Sequence, residues 1–408
     1  IAGENDGEFN SGDYILFNAN SAEIWTYSRF TSRFHHENNL YADTVYYLLT
    51  TDQGSGKRIE TIPNSTQQPT FTVNSFSDYA VHDRDLENLI YSGKEWFGER
   101  FSGDTLERTF SLHFPDRNDD EPVFLNYEII ARAFSNSYYQ VFANGSLIID
   151  STLITKVSGS GGIYARRSTK TVTFFTEGDQ VDIKVKYLND DVTAIAWISN
   201  LELNVNRILK FDGGQMKFRD PESAVSGNIS EFVIQNANDA IVWDITDPFN
   251  PLNIEYIQNN NTIQYTIPTD SLREFVICET DGFYAPISYE YVENQNLHSI
   301  ASVDFVIVTH PTFIDQAVRL ANLHEVVDGM DVLVVTPEQI YNEYSSGSQD
   351  ISAIRNFMRM LYEREAFGEN PGYLLLFGDA SYDYKHRVHD NTNFVPTYES
   401  KESLRLTS

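Results

Sequence analysis

The chain has 408 residues, a length that suggests two to four domains rather than one. Its 29 Lys and Arg residues stand against 59 Asp and Glu residues, and the resulting formal charge of −30 argues against a nucleic-acid partner. The single cysteine excludes an internal disulfide, and no apolar run reaches the ~20 residues that a membrane-spanning helix needs.

Residues 1 to about 295 are predicted to be almost wholly β. Short alternating apolar runs are separated by turn signals, and the clearest predicted strand covers residues 181–187, where every second residue is apolar. The Asn-Gly pair at residues 144–145 predicts a type I′ hairpin turn.

Residues 201–205 repeat the same alternation, with leucine or valine at every second position. A half-buried strand places alternate side chains on opposite faces of the sheet. The pattern therefore predicts that the intervening residues, Glu202 and Asn204, face outwards.

We divide the β region into three predicted domains. An N-terminal β domain covers residues 1–78 and holds the segments GDYILFNAN and TVYYLLTT, both of which are interpreted as strands. A jelly-roll-like β-sandwich domain covers residues 79–208, and a small β-sandwich domain covers residues 209–297.

The spacing of the apolar residues along the chain changes near residue 300. Three continuous apolar runs, in VDFVIVTHP, DVLVVTP and PGYLLLFGDASYD, alternate with amphipathic stretches, as in βαβ units with a buried parallel sheet. The first predicted helix ends at the C-cap residue Gly329, and the second begins after the N-cap residue Asp350. Residues 298–408 are therefore predicted to form the first part of an α/β domain. With only three strands, this part is incomplete and leaves an unpaired edge.

Candidate site residues follow the apolar runs, because ligands of open α/β folds bind at the carboxyl ends of the strands. His310 follows the first run, and its alternative role is a cap-region residue before a helix that starts at Pro311. Gly378 and Asp379 follow the third run and place a carboxylate and free backbone N–H groups at the rim of a cleft. The alternative for Asp379 is a strand terminator that accepts hydrogen bonds from the following turn. If functional, Asp379 is a supporting residue and not a nucleophile.

The polar segment after the third run could also suggest a metal site. Its candidate ligands are Asp379, Asp383, His386, His389 and Asp390, but their spacing fits neither an EF-hand loop nor a zinc pattern. A solvated polar loop is the favoured interpretation, and a structural calcium ion stays open as the alternative.

Cys278 lies in the apolar run REFVICET, ahead of the α/β part and with no histidine near it in the sequence. A cysteine in such a run is typical of a buried structural thiol. We therefore do not interpret Cys278 as a nucleophile.

Several segments resemble one protein family. YLLLFGDASYDYKHR, followed by NTNFVPTYES, resembles the start of the catalytic domain of gingipain-like cysteine peptidases. Earlier segments, among them GKEWFGE and VWDITDP, resemble in the same order the surface sortases of bacterial type IX secretion. The resemblance covers nearly the whole chain.

The resemblance implies β-rich domains in front of a caspase-like α/β domain, at the external face of the outer membrane. Such enzymes remove the C-terminal signal domain of secreted cargo and join the new carboxyl end to anionic lipopolysaccharide. A Cys nucleophile and a His base form a thioester that an amine releases, without a required cofactor. The implied partners are an outer-membrane β-barrel protein (PorV-like), which holds the enzyme peripherally at the membrane, and other attachment-complex subunits.

In the gingipain pattern the catalytic His and Cys lie on strand ends that follow the Gly-Asp strand. The resemblance therefore places the dyad after Ser408, assigns no catalytic residue within this chain, and implies that the chain is inactive by itself. The alternative function is a non-catalytic β-sandwich binding protein or a scaffold subunit of a secretion complex.

Overall fold

The computed structural model describes residues 9–50, 54, 56–159, 162–364 and 372–406. The strands of the β region, in chain order, are β1 (Ile24–Ser28), β2 (Arg33–Glu37), β3 (Glu60–Ile62), β4 (Phe71–Val73), β5 (Ser75–Asp83), β6 (Arg100–Phe101), β7 (Glu107–His113), β8 (Val123–Arg132), β9 (Ser137–Ala143), β10 (Ser146–Ile154), β11 (Arg166–Phe174), β12 (Gln180–Leu188), β13 (Ile195–Ile208), β14 (Gln215–Arg219), β15 (Ile229–Gln235), β16 (Ile241–Asp244), β17 (Leu252–Ile254), β18 (Ile257–Asn259), β19 (Thr262–Pro268) and β20 (Glu274–Cys278).

The C-terminal part alternates strands and helices. Its elements are β21 (Phe305–Thr309), α1 (Ile314–Asp328), β22 (Val332–Val335), α2 (Pro337–Tyr344), α3 (Ile351–Arg364) and β23 (Tyr373–Phe377), with short 3-10 helices at Leu297–Ser299 and Pro311–Phe313.

The first sandwich consists of two antiparallel sheets. One has the strand order β10-β9-β12-β7, and the other has the order β11-β8-β13-β5, with β6 paired to β13. Residues on β12 alternate between buried and partly exposed, which confirms the strand predicted at 181–187. Asn144 and Gly145 both have positive φ angles, 44° and 83°, as the predicted type I′ turn requires. Tyr127 and Tyr139, from opposite sheets, meet edge to face in the core.

The prediction that Glu202 and Asn204 face solvent is wrong. Their exposed fractions are 5% and 8%, because the β1–β2 hairpin covers this face of β13. The Asn204 amide accepts from the Phe34 N–H at 2.8 Å and donates to the Phe34 carbonyl at 3.0 Å. Glu202 accepts from the His36 N–H at 2.7 Å. Polar side chains therefore attach the hairpin to the sheet.

The second sandwich has the strand orders β14-β20-β16-β17-β3 and β18-β19-β15-β4. Its core is aromatic: Phe218 and Phe275 stack at a centroid distance of 5.3 Å, and Phe232 stacks on Tyr265 at 5.1 Å. Strands β3 and β4 precede the first sandwich in the chain but pair in parallel with β17 and β15. The strand pairing thus crosses the predicted boundary at residue 78, and the division into domains stays a prediction.

The two segments interpreted as strands of the N-terminal domain form no named strand. Residues 12–20 and the described residues of 44–51 instead contact each other through side chains. Phe17 and Tyr47 pack at a ring-centroid distance of 5.0 Å, and the Tyr47 hydroxyl accepts from the Asn20 N–H at 2.7 Å. Both segments have a high β propensity, but they form no strand ladder. Propensity means only that the side chains suit a half-buried pleated surface, and a ladder also needs a neighbouring strand to pair with.

The C-terminal part holds a parallel sheet of order β22-β21-β23. One face of β21 packs with α1, and the other packs with α2 and α3, which explains its uninterrupted apolar sequence. Gly329 ends α1 in the left-handed region at φ 68°, and the Asp350 carboxylate accepts from the Ser352 N–H at the start of α3, as predicted. The predicted fold class, β sandwiches followed by an α/β part with a parallel sheet, is confirmed.

Helix α2 was not predicted. Thr336 and Gln339 form a capping box at its N-terminus, in which the Thr336 hydroxyl accepts from the Gln339 N–H and the Gln339 side chain accepts from the Thr336 N–H. Among the helices of the described residues, none is long and apolar enough to cross a membrane.

Residues 380–406 follow β23 and return to the first sandwich; we call them the return segment. The Tyr164 N–H donates to the Leu404 carbonyl at 2.7 Å. The Leu404 side chain is buried in one cluster with Trp197 of β13. The return segment therefore contributes to a core that belongs mainly to the β region.

Charged residues attach the return segment at a second place. Lys385 Nζ lies 2.5 Å from Asp43 Oδ1, and Arg387 pairs with Asp85. Asp83, at the end of β5, lies in the same cluster. Burial, together with the charge of Asp85, raises the pKa of Asp83 to about 7, although Lys385 acts in the opposite direction.

Replacing Asn204 with alanine leaves the buried N–H and carbonyl of Phe34 without partners. We expect a loss of about 1–3 kcal/mol in the unfolding free energy of the first sandwich. We also expect faster amide hydrogen exchange in residues 33–37. Asn126→Ala is the matched control, because the Asn126 side chain accepts from the exposed Thr171 hydroxyl and not from the hairpin residue Phe34. Equal exchange rates in the two variants would contradict this role of Asn204.

Replacing Asp83 with asparagine should change how stability depends on pH. The pKa of Asp83 is raised in the folded state. Between pH ~4 and about 7, the folded chain therefore keeps a proton on Asp83 that the unfolded chain has already released. The contribution of this bound proton to the free energy of unfolding is fully present below pH ~4 and is lost as the pH rises through 7. Asp83→Asn should therefore raise the melting temperature at pH 8 and leave it nearly unchanged at pH 4.

Asp104→Asn, on an exposed turn, serves as the control for Asp83→Asn. A raised folded-state pKa of Asp83 is contradicted if Asp83→Asn lowers the melting temperature at pH 8. It is also contradicted if the melting temperatures of both variants depend on pH as in the unchanged chain.

Candidate active-site edge

The carboxyl ends of β21, β22 and β23 lie at one edge of the parallel sheet, because the three strands run in the same direction. The fully buried Thr309, at the end of β21, donates from its hydroxyl to the Phe377 carbonyl of β23 at 3.0 Å. Sequence reasoning predicted this edge as the place of the site residues, and the strands bring His310, Gly378 and Asp379 to it.

His310 occupies the N-cap position of the 3-10 helix Pro311–Phe313. Its Nδ1 accepts from the Thr312 N–H at 3.3 Å and lies 2.9 Å from the Thr312 hydroxyl. In this contact the ring nitrogen acts as the acceptor that caps the helix. The ring also packs on Phe394 at a centroid distance of 4.9 Å. The structure thus shows the capping contact, and a functional role of His310 stays a prediction.

Asp379 is held by the turn that follows it and by the return segment. Its carboxylate accepts from the Ala380 N–H at 3.0 Å and from the Thr392 hydroxyl at 2.7 Å. Its carbonyl accepts from the N–H groups of Phe394 and Val395 at 3.0 and 3.1 Å. These are the contacts of a strand terminator, and a supporting role in chemistry stays a prediction.

Gly378 lies directly under the return segment. A Cβ at this position would lie 3.1 Å from Val395 Cγ2 and 3.2 Å from Phe394 Cβ, closer than side chains usually approach. Absence of a side chain therefore lets residues 394–395 cross the end of β23. Gly378 shapes the edge through backbone packing.

A cleft of about 170 Å³ lies at this edge, between the start of α2 and the return segment; we call it the edge cleft. Its walls combine imidazole, amide, phenol and apolar groups, from His310, Pro337, Glu338, Tyr341, Gln349, His386, Asn391, Asn393, Phe394 and Pro396. The cleft is small enough to accept a single functional group rather than a whole substrate.

Two walls of the edge cleft carry polar atoms that lack a hydrogen-bond partner among the described residues. They are the buried Tyr341 hydroxyl and the buried Asn393 Nδ2. Burial raises the pKa of Tyr341, so its hydroxyl remains a neutral donor. A buried donor without a protein partner is stabilised by a water or a ligand oxygen.

Asp383 does not have the environment of an open metal ligand. It is fully buried, and its carboxylate accepts from the backbone N–H groups of Lys385 and Val388 at 3.3 and 2.6 Å. Arg387 Nη1 lies 3.7 Å from the same carboxylate. Within the described residues, no group of three or more His, Cys, Asp or Glu side chains could hold a metal ion. Asp383 anchors the return segment.

Cys278 lies on β20 of the second sandwich, outside the parallel sheet. Its side chain is buried at 6% exposure, and burial raises the pKa of the thiol to about 11. A neutral buried thiol is a poor nucleophile, in agreement with its assignment as a structural residue.

Sequence reasoning missed Tyr341 and Asn393. A signal for Tyr341 was present: the sequence Thr336-Pro337-Glu338-Gln339 has the spacing of a capping box and a proline at the first helical position. For Asn393 there was none, because its place in the cleft depends on how the return segment crosses the sheet edge.

Comparison with known proteins finds a family match for the C-terminal part and a fold match for most of the chain. Residues 298–407 match the model of peptidase family C25. The whole fold superposes with a TM-score of 0.80 on the crystal structure of dimeric latent PorU from Porphyromonas gingivalis. The match covers 94% of this chain and 38% of the PorU chain at 22% sequence identity. The fold that the sequence resemblance implied is thereby confirmed.

Other structural matches are much weaker. A carbohydrate-binding module, CBM36 in complex with calcium and xylotriose, matches with a TM-score of 0.18 at 12% identity, over 26% of this chain and 77% of the module. The insecticidal delta-endotoxin Cry8Ea1 from Bacillus thuringiensis matches with a TM-score of 0.20 at 14% identity, over 26% of this chain and 18% of the toxin. At these scores neither match supports a functional argument. No curated protein matches the chain.

The thiol of Cys278 should resist alkylation in the folded chain. With a pKa of about 11, the thiolate fraction at pH 8 is on the order of 10⁻³, and the side chain is also shielded from reagent. Incubation with iodoacetamide followed by intact-mass measurement should show no modified native chain. The same reaction in guanidinium chloride should modify one thiol per chain. Rapid labelling of the native chain would reopen the question of its reactivity.

Proposed function

We propose that this chain is the N-terminal part of a cell-surface cysteine peptidase that acts as a sortase. The enzyme cleaves the C-terminal signal domain from type IX secretion cargo and transfers the cargo to anionic lipopolysaccharide. One observation carries the proposal: the residues that match peptidase family C25 form a parallel sheet with a cleft at its carboxyl edge.

The residues of this chain set limits on the chemistry. A cysteine peptidase needs an accessible thiolate, and the single cysteine, Cys278, is buried in a different sheet. We therefore propose that the nucleophilic Cys and the basic His are supplied C-terminal to Ser408. The 408-residue chain is then inactive by itself.

In the proposed reaction, cysteine Sγ attacks the carbonyl carbon of the scissile peptide bond after His removes the thiol proton. His returns that proton to the leaving amine nitrogen, and a thioester remains. An amine of the acceptor then attacks the thioester carbonyl carbon, the C–S bond breaks and an amide forms. The proton that the amine loses passes to the departing thiolate, so the thiol is regenerated. The chemistry requires no cofactor. Asp379 would stabilise the backbone conformation at the sheet edge through its contacts with Ala380 and Thr392.

The proposal includes a location and partners. The enzyme would lie at the external face of the outer membrane as a peripheral protein, attached to a β-barrel partner and to other subunits of the attachment complex. Fold similarity to PorU over 94% of this chain supports it, and the acidic surface is compatible with the absence of nucleic acid among the partners.

The test uses the full-length protein and a cargo protein that carries its C-terminal signal domain. We expect mass spectrometry to show loss of the signal domain and, with an added primary amine, a new amide at the cargo carboxyl end. Replacing the proposed downstream cysteine with alanine should abolish both products.

Cys278→Ala is the matched control and should retain activity, because the buried thiol lies away from the sheet edge. Loss of activity in folded Cys278→Ala would overturn the proposed assignment of the nucleophile. Full-length protein that binds the barrel partner and cargo but leaves the cargo intact would instead support the non-catalytic scaffold function.

A further inference from the structure

We propose that a second cleft, between β11 and the return segment, binds a small anionic ligand, a sugar-sized molecule that carries a phosphate or carboxylate group. This cleft has a volume of about 440 Å³, within the range of small-molecule sites. We call it the basic cleft, because Arg166, Arg167, Lys401 and Arg405 all line it. The proposal does not depend on the proposed function.

The charge of the basic cleft is opposite to that of the chain as a whole. Two carboxylates, Glu95 and Glu402, also line it, and a third, Glu128, lies 3.5 Å from Arg167, so the four cationic residues leave an excess of one positive charge. The complete chain has a formal charge of −30. A local positive field in a strongly acidic protein attracts small anions, whereas the remaining surface repels extended polyanions.

The carboxylates do not neutralise every cation in the cleft. Glu95 is engaged with Arg167, whose Nη2 lies 2.7 Å from Glu95 Oε1. Glu402 accepts from the Leu404 N–H at 2.7 Å, and its other oxygen lies 3.8 Å from Arg405 Nε. Both carboxylates are therefore occupied with fixed local partners.

Arg166 and Lys401 remain available to a ligand. Among the described residues, neither side chain takes part in an ion pair. A guanidinium with free N–H groups is suited to the planar or tetrahedral oxygens of carboxylate and phosphate.

The walls of the basic cleft are held in place without a ligand. Ile163 and Arg405 form a β bridge, and the Tyr164 N–H donates to the Leu404 carbonyl at 2.7 Å. On the other side, the Glu95 N–H donates to the Ser403 hydroxyl at 2.9 Å. These contacts fix the backbone of both walls, so only the cationic side chains have to be ordered when a ligand binds.

The test is a titration of the 408-residue chain at low ionic strength by isothermal calorimetry. The probes are inorganic phosphate, glucose 1-phosphate, glucuronate and uncharged glucose. We expect at least one of the anions to bind, with weaker binding at high salt, and glucose not to bind. Comparison of glucose 1-phosphate with glucuronate decides between the phosphate and the carboxylate.

Arg166→Gln and Lys401→Gln should each weaken the binding of the preferred anion about tenfold, corresponding to about 1.4 kcal/mol. Neither change breaks an ion pair, so thermal unfolding should be unaffected, and each variant serves as a check if the other misfolds. Lys170→Gln is the matched control, because Lys170 is exposed on the same strand and does not line the cleft.

Two results would overturn the proposal. One is that none of the anions binds to the chain. The other is that the anions bind Arg166→Gln and Lys401→Gln as tightly as they bind Lys170→Gln, which would show a non-specific effect of charge.

Discussion

The return of residues 380–406 from the parallel sheet to the first sandwich is the constraint on which both clefts depend. Asp383 fixes the start of this segment through its own backbone, and Arg387 pairs with Asp85 of the β region. At the other end, Leu404 is buried in one cluster with Trp197. Between these anchors the segment crosses the sheet edge and forms a wall of the edge cleft. Its last residues then form a wall of the basic cleft.

Buried polar groups have two different roles in this molecule. Asn204 and Glu202 are fully engaged with the β1–β2 hairpin and fix its position on the sheet. Tyr341 and Arg166 each have a buried polar atom without a partner among the described residues, and both atoms belong to residues that line clefts. Unpaired buried polar groups also occur in the sandwich cores, at Tyr127 and Tyr265, so an unpaired group does not by itself mark a cleft as a binding site.

The single cysteine and the parallel sheet lie in different parts of the chain, and this separation shapes the functional proposal. Cys278 is enclosed in the second sandwich, so its chemistry is limited by burial. The edge cleft has donors and imidazole groups but no thiol among its walls. In the proposed function, the part of the chain that matches peptidase family C25 would supply a scaffold for the site, and the nucleophile would come from elsewhere.

The sequence by itself determined the features that depend on neighbours within a few residues. The alternation at 181–187, the Asn144-Gly145 turn, and the caps at Gly329 and Asp350 all follow from local backbone preferences. It also indicated the edge of the parallel sheet as a candidate site, because strand direction follows from the βαβ pattern.

Only the tertiary structure decided which surfaces are covered. Asn204 binds Phe34, 170 residues away, and no local pattern reports that a hairpin will cover that face. Contacts between distant residues also place β3 and β4 in the second sandwich. They likewise place Asn393 in the edge cleft. Periodicity shows that a face is polar, but whether that face meets water or another segment depends on contacts between residues far apart in the chain.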